Sequence, residues 1–292
     1  VKVITAGGPS TCGTEVIFRI GVRGNTVVLR DMDAATGEFA EQAKYDPGKE
    51  PAPEAIVSAE ARPDARLRIT MAEGVTSWQV VEGLKQAGFL KGEVAQVPAE
   101  GSLAPDTYDV EQGADRGKLL AEMARRQTAI LNTAWAARAA DLPYKTPEEA
   151  LTMASIIEKE TGVPGERGVV ASVFVNRLGR GMRLETDPTV IYGVTKGEGV
   201  LDRGLRGSEL RRRTPYNTYQ IDGLPPTPIA NPGRAAIEAA MNPDKTDYVF
   251  FVADGSGGHA FARTLEEHNQ NVLRWREIER QRGEALSPVQ GN

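Results

Sequence analysis

The chain has 292 residues, 40 % of them hydrophobic and 26 % charged, and 35 basic against 40 acidic groups leave a formal net charge of −5. That length suits about two domains with real cores, and the composition excludes disorder over the whole length. No run reaches the ~18 apolar residues of a membrane span, and the acidic balance argues against a general nucleic-acid binder.

Residues 1–64 form the least legible segment. Apolar and β-branched runs at 15–20 and 26–29 flank Arg23-Gly24-Asn25 and read as two strands around a turn. Pro47, Pro51, Pro53 and Pro63 then mark a linker or extended segment. Residues 67–71 alternate as a short strand. Thr76 is placed to cap a helix over 77–87 that carries Val80, Val81 and Leu84 on one face, and Gly88 ends it. This strand–helix module, 65–100, is too small to hold much core alone.

A loop at 101–108 leads to a long Ala/Leu-rich helix over 116–140. Thr146-Pro147-Glu148-Glu149 has capping-box spacing with proline at the first helical position, and Gly162 stops the helix after Thr161. Helices over 166–178 and from Asn231-Pro232 to Met241 follow. Strands at 248–253 and 259–262 enclose a glycine-rich turn, Thr264 caps a last helix to about Arg282, and the tail 284–292 frays. The fold class is α+β: a small strand–helix subdomain, then a mainly helical domain over 101–283 with a short β-hairpin.

Two acids close the helix that starts at Pro147. At 3.6 residues per turn Glu158 and Glu160 point about 200° apart, so they cannot both face one site. Glu160 lies over Ile157, Ile156 and Met153, whereas Glu158 lies over Ser155, Ala154 and Leu151. A carboxyl on an apolar stripe is desolvated, which raises its pKa toward what a general acid near neutrality needs. The bland alternative is that Glu160 frays outward or pairs with a base such as Arg167, and periodicity alone does not choose.

Residues 176–193 mix Arg, Asp, Thr and Tyr around Asp187-Pro188, which reads as a surface loop with a turn or as the lining of a sugar groove. Tyr216-Asn217-Thr218-Tyr219 and the proline-rich 223–228 suit carbohydrate, or form a braced connection. Arg211-Arg212-Arg213 reads as a solvated loop. The turn before His259 lacks the phosphate-loop pattern, and neither Ser155 nor Ser256 sits in a nucleophile elbow. Cys12 is the single cysteine, so no internal disulfide can form, and with only His259 and His268 besides, a Cys/His zinc site is excluded. Val1, with no leader pattern after it, reads as a trimmed or processed start.

Six ordered blocks together resemble the endolytic murein transglycosylase family, the MltG/YceG-like proteins. They are ASIIEKET (154–161), VASVFVNRL (170–178), GMRLETDPTVIYG (181–193), YNTY (216–219), GLPPTPIANPG (223–233) and YVFFVADGSGGHAF (248–261). The resemblance covers about residues 65–275. It implies a bacterial inner-membrane protein with one N-terminal membrane helix, absent from this chain, and a periplasmic body. In that body a LysM-like subdomain, placed at 65–100, accompanies a catalytic domain. The partners implied are peptidoglycan glycan strands and cell-wall synthesis enzymes, with no nucleic acid, metal or organic cofactor.

The family's catalytic glutamate is the second acid of its E-K-E motif, which falls on Glu160. The reaction implied cleaves the β-1,4 bond from N-acetylmuramic acid to N-acetylglucosamine without water, leaving a 1,6-anhydro end. Substrate positioning is expected from Tyr216, Asn217 and Tyr219, then from Asp187, Thr189 and His259. Glu185 stands where relatives often carry Gln, so either that position tolerates charge or Glu185 is a second acid near the site. Two rivals remain: a glycan-binding scaffold without turnover, and a muramidase-type hydrolase using Glu185 or Asp187.

Overall fold

The computed structural model describes residues 13–33 and 35–283; Cys12 and the tail 284–292 lie outside the described residues. The chain divides into two units, Val1–Arg126 and Gln127–Asn292.

In the first unit, alternating apolar residues build a sheet. Strands β1 (Thr14–Gly21) and β2 (Gly24–Met32) pair antiparallel, with Gly21 opposite Gly24, so the turn is Val22-Arg23 rather than the expected 23–25. Strand β3 (Phe39–Tyr45) pairs with β2. Helix α1 (Glu54–Glu60) then lies inside the stretch read as a linker. Pro53 occupies its N-cap, where a missing N–H breaks no helical bond, and Ile56 and Ala59 bury its inner face. Strand β4 (Arg66–Met71) runs parallel to β1. Helix α2 (Ser77–Gln86) follows, with Thr76 and Gln79 forming a full capping box. It seats closely on β1: a Cβ at Gly83 would meet Ile20 at 2.9 Å.

Strands β5 (Leu90–Lys91), β6 (Thr107–Val110) and β7 (Ala114–Asp115) complete this unit. The main sheet has the order β3-β2-β1-β4-β6. Residues 65–100 therefore do not stand apart as a strand–helix module. β4 lies between β1 and β6, and its Leu67, Ile69 and Met71 share one core with Val16, Phe18 and Ile20. A lone strand and helix bury too little apolar surface to fold, and the neighbouring strands supply it. The unit boundary falls within helix α3 (Arg116–Ala136), not at 64 or 100.

The second unit is helical around α4 (Pro147–Glu160), which Thr146 caps as expected. All eight residues from Ala150 to Ile157 are buried. Met153, Ile156 and Ile157 pack in one core with Val170 and Phe174 of α5 (Arg167–Gly179). Helix α6 (Asp187–Thr195) replaces the loop expected at Asp187-Pro188, because proline in a first helical turn forfeits only an N–H that has no partner there. Helix α7 (Gly207–Arg211) follows. Helix α8 (Arg234–Met241) begins three residues after Asn231 and adds Ile237 and Met241 to the core. Strands β8 (Phe250–Ala253) and β9 (His259–Ala262) form the hairpin, β8 starting two residues later than expected. Helix α9 (Leu265–Arg282) closes the unit, with Thr264 and Glu267 as its capping box. No helix among the described residues is long and apolar enough to cross a membrane.

Candidate active site

Helical phase separates the two acids of α4. The Glu158 carboxylate accepts the Gly233 N–H at 3.0 Å, at the N-cap of α8, and so serves a helix end. Glu160, the last residue of α4, accepts a hydrogen bond from the Thr186 hydroxyl instead. Thr186 is the N-cap residue of α6, but its hydroxyl makes no capping bond because it is turned to Glu160. Burial pushes the Glu160 carboxyl up to about 7, and the negative charge of Asp187 adds to the rise. The Thr186 hydrogen bond and the charges of His259 and Arg177 oppose it without cancelling it. A carboxyl held near neutrality can give a proton and take one back at the same pH.

Two buried threonines, Thr189 and Thr218, hold Thr186 in place. The Thr186 N–H donates to Thr218 Oγ1 at 3.0 Å, the Thr189 hydroxyl donates to the Thr186 carbonyl at 2.8 Å, and the Thr189 and Thr218 hydroxyls lie 2.8 Å apart. Arg177, almost wholly buried, gathers the segment before them. Its Nε donates to the Val249 carbonyl at 2.6 Å, and its Nη1 donates to the carbonyls of Arg183 and Leu184 and to the Glu185 carboxylate at 3.1 Å. Glu185 itself has a φ of 51°, in the left-handed region that a non-glycine residue enters at a cost of about 1–3 kcal/mol. The Arg177 pair and the bond from the Glu185 N–H to the Thr218 carbonyl, 3.2 Å, keep it there.

Asp187 is exposed at the start of α6 and accepts the Tyr219 hydroxyl at 2.8 Å. Burial raises the Tyr219 pKa well above the phenol range, and Asp187, Glu160 and Glu185 raise it further, so this hydroxyl stays a donor. His259, at the start of β9, is held by Glu166: the backbone N–H meets one carboxylate oxygen at 2.9 Å and Nδ1 the other at 2.8 Å. Among the described residues no three His, Cys, Asp or Glu side chains converge to hold a metal ion.

A profile of the YceG-like family matches residues 21–274, a stretch that contains every side chain just described. The chain belongs to the YceG-like family. Over 120 residues it is 50 % identical to the endolytic murein transglycosylase of Bacillus subtilis 168, covering 41 % of this chain and 32 % of that protein. Over 186 residues it is 32 % identical to the endolytic murein transglycosylase of Streptococcus pneumoniae D39, covering 63 % and 33 %. The matches thus span about a third of the length of these curated relatives. The crystal structure of a yceG-like protein from Listeria monocytogenes superposes with a TM-score of 0.58 at 32 % identity, covering 70 % of this chain and 75 % of that one.

In this candidate site the structure brings Glu160, Asp187, Tyr219 and His259 into one electrostatic neighbourhood, with Glu185 tied to Arg177 at its edge. Two of the expected substrate-positioning residues face inward. Asn217 is buried, and its amide donates to the carbonyls of Glu209, Leu210 and Arg212 and accepts the Tyr219 N–H, so it braces the loop and has no polar atom left for a sugar. Thr189 is fully buried in the threonine cluster. Tyr216 is hydrogen-bonded to the Thr227 hydroxyl, with its ring 5.0 Å from that of Tyr192. The residues missed are Thr186, Arg177 and Glu166. Thr186 and Arg177 lie within recognised blocks, but their side-chain types are common in loops and helix ends, and Glu166 lies in no block at all.

Proposed function

We propose that this chain is the catalytic body of an endolytic lytic transglycosylase of peptidoglycan. The observation that carries the reading is Glu160: a single carboxyl, desolvated at a helix end and poised near pH 7, in a hydroxyl-rich site beside Asp187 and Tyr219. The curated relatives bear the activity in their names.

Protonated Glu160 gives its proton to the glycosidic oxygen as the bond to the anomeric carbon of N-acetylmuramic acid breaks, the electron pair leaving with that oxygen. Positive charge builds on the sugar ring, next to the carboxylates of Glu160 and Asp187. Glu160 then takes the proton of the C6 hydroxyl while that oxygen bonds to the anomeric carbon. A 1,6-anhydro end forms, Glu160 is protonated again, and no water is consumed. One carboxyl suffices because the nucleophile belongs to the substrate, unlike the two-carboxylate scheme.

A hydrolase is the second reading, favoured by one observation: Asp187 is solvent-exposed and close enough to raise Glu160. Mass spectrometry of purified peptidoglycan digested with wild type and Glu160→Gln separates them. Anhydro-muramyl products from wild type alone support the lyase, reducing ends support the hydrolase, and glycan bound without products supports a scaffold.

To the same reading belong a LysM-like grip on glycan by residues 65–100, a single-pass inner-membrane tether upstream of Val1, a body in the periplasm and cell-wall synthesis enzymes as neighbours. The grip rests on the resemblance to the family alone, and the location on peptidoglycan lying outside the cytoplasmic membrane.

A further inference from the structure

The proposed mechanism leaves one half-buried arrangement unused. Glu166 sits in a single 3-10 turn, Pro164–Glu166, between α4 and α5, yet its carboxylate reaches across 93 positions of sequence to bond both the backbone and the ring of His259. The approach depends on a glycine: a Cβ at Gly258 would lie 2.4 Å from Glu166 Oε1. The ring is walled by Phe251, edge-on at 5.2 Å, and by Phe261 at 6.2 Å.

A carboxylate accepts hydrogen bonds, so at neutral imidazole the proton sits on Nδ1 and the lone pair is left on Nε2. No protein group among the described residues bonds Nε2, and it is not a buried atom without a partner, so it is reachable from solvent. A positive charge on the imidazole, were it protonated, would bear on Glu160 and on Asp254 in the turn behind it. The groups that bear on the imidazole are therefore Glu166 from the 3-10 turn, Glu160 from α4 and Asp254 from the hairpin, while Arg177 of α5 and Asp187 of α6 act on the same carboxyl.

We propose that Glu166 is a positioning residue that locks His259 as the Nδ1–H tautomer, so that Nε2 accepts a hydrogen bond from a hydroxyl of the N-acetylated sugar bound beside Glu160. This rests on the glycan-cleavage reading above and deepens it. A neutral acceptor at that position orients a sugar hydroxyl without adding a positive charge that would draw the proton off Glu160. Carboxylate-to-imidazole bonds fix the tautomer by the same logic in hydrolytic triads.

The test is direct because the chain has only two histidines. Long-range 1H–15N correlation at pH 8 reads the tautomer, with His268→Gln assigning the signals. Wild type should show His259 as Nδ1–H, and Glu166→Gln should give a mixture of tautomers. Gly258→Ala, which displaces the carboxylate from the other side, should do the same. Titration with a β-1,4-linked N-acetylglucosamine tetramer should move the Nε2 resonance of wild type and leave that of Glu166→Gln unmoved. In cleavage assays Glu166→Gln should lose about tenfold or more in kcat, and Glu166→Asp should recover part of it.

An Nε2–H tautomer in wild type, an unchanged tautomer in Glu166→Gln or an Nε2 resonance indifferent to the sugar overturns the proposal. If wild type gives no cleavage products yet shows the tautomer and the sugar-induced shift, the catalytic reading fails and this one stands.

Discussion

Replacing Glu160 by Gln should make the protein more stable at alkaline pH. Gln has the shape of the protonated acid, and its carbonyl oxygen can still accept the Thr186 hydroxyl. The native carboxyl titrates at about 7 against an ordinary 4.5. Between those two values the native state holds a proton that the unfolded chain releases, so wild-type stability falls as pH rises through that window. Below the window both states are protonated and there is no penalty; above it the penalty is complete. Each tenfold change in proton affinity is ~1.4 kcal/mol, which puts the full penalty at about 3 kcal/mol. Glu160 is half-buried rather than sealed, and water at its rim screens part of this, leaving about 2–3 kcal/mol.

Urea unfolding of wild type and Glu160→Gln from pH 4 to pH 9 reads the difference. The two should coincide near pH 4 and diverge to about 2–3 kcal/mol by pH 8.5, a rise in Tm of about 4–12 °C for the variant. A difference that does not change with pH, or a wild type more stable than the variant at pH 8.5, refutes the argument that burial lifts this carboxyl.

The same titration governs catalysis: kcat should be present below pH 7 and fall as Glu160 ionises above it, and Glu160→Gln should abolish cleavage while glycan binding persists. A flat profile from pH 6 to pH 9 would remove Glu160 as the acid. Tyr219→Phe deletes the donor to Asp187, so turnover should drop several-fold with little loss of stability, and wild-type kinetics would take the hydroxyl out of the site. Asn217→Ala removes a buried amide that satisfies three carbonyls and should cost about 2–4 kcal/mol by thermal unfolding; a loss under ~0.5 kcal/mol would contradict its role as a brace. Arg177→Met should destabilise by about 3–5 kcal/mol, since it leaves Glu185 unpaired and strands three carbonyls; an unchanged Tm would deny the clamp.

Much of this protein is determined by local pattern. The helices α2, α4 and α9 begin where Thr76, Thr146 and Thr264 place them, because a hydroxyl that caps an N-terminus needs only its own next three residues. Glu160 could be set apart from Glu158 because helical phase is a property of the chain itself. Local pattern could not place β4 in a five-stranded sheet, since pairing with β1 and β6 joins residues some fifty and forty positions away. Nor could it assign Asn217 to the loop and Asp187 to the neighbourhood of Glu160, because a polar side chain has the same chemistry whether its partners are backbone carbonyls or a substrate. That choice was made by the folded chain, which brings α5, α6 and the β-hairpin around the end of one helix. The pKa of Glu160, the tautomer of His259 and the strain at Glu185 are all consequences of groups that only the tertiary structure makes neighbours.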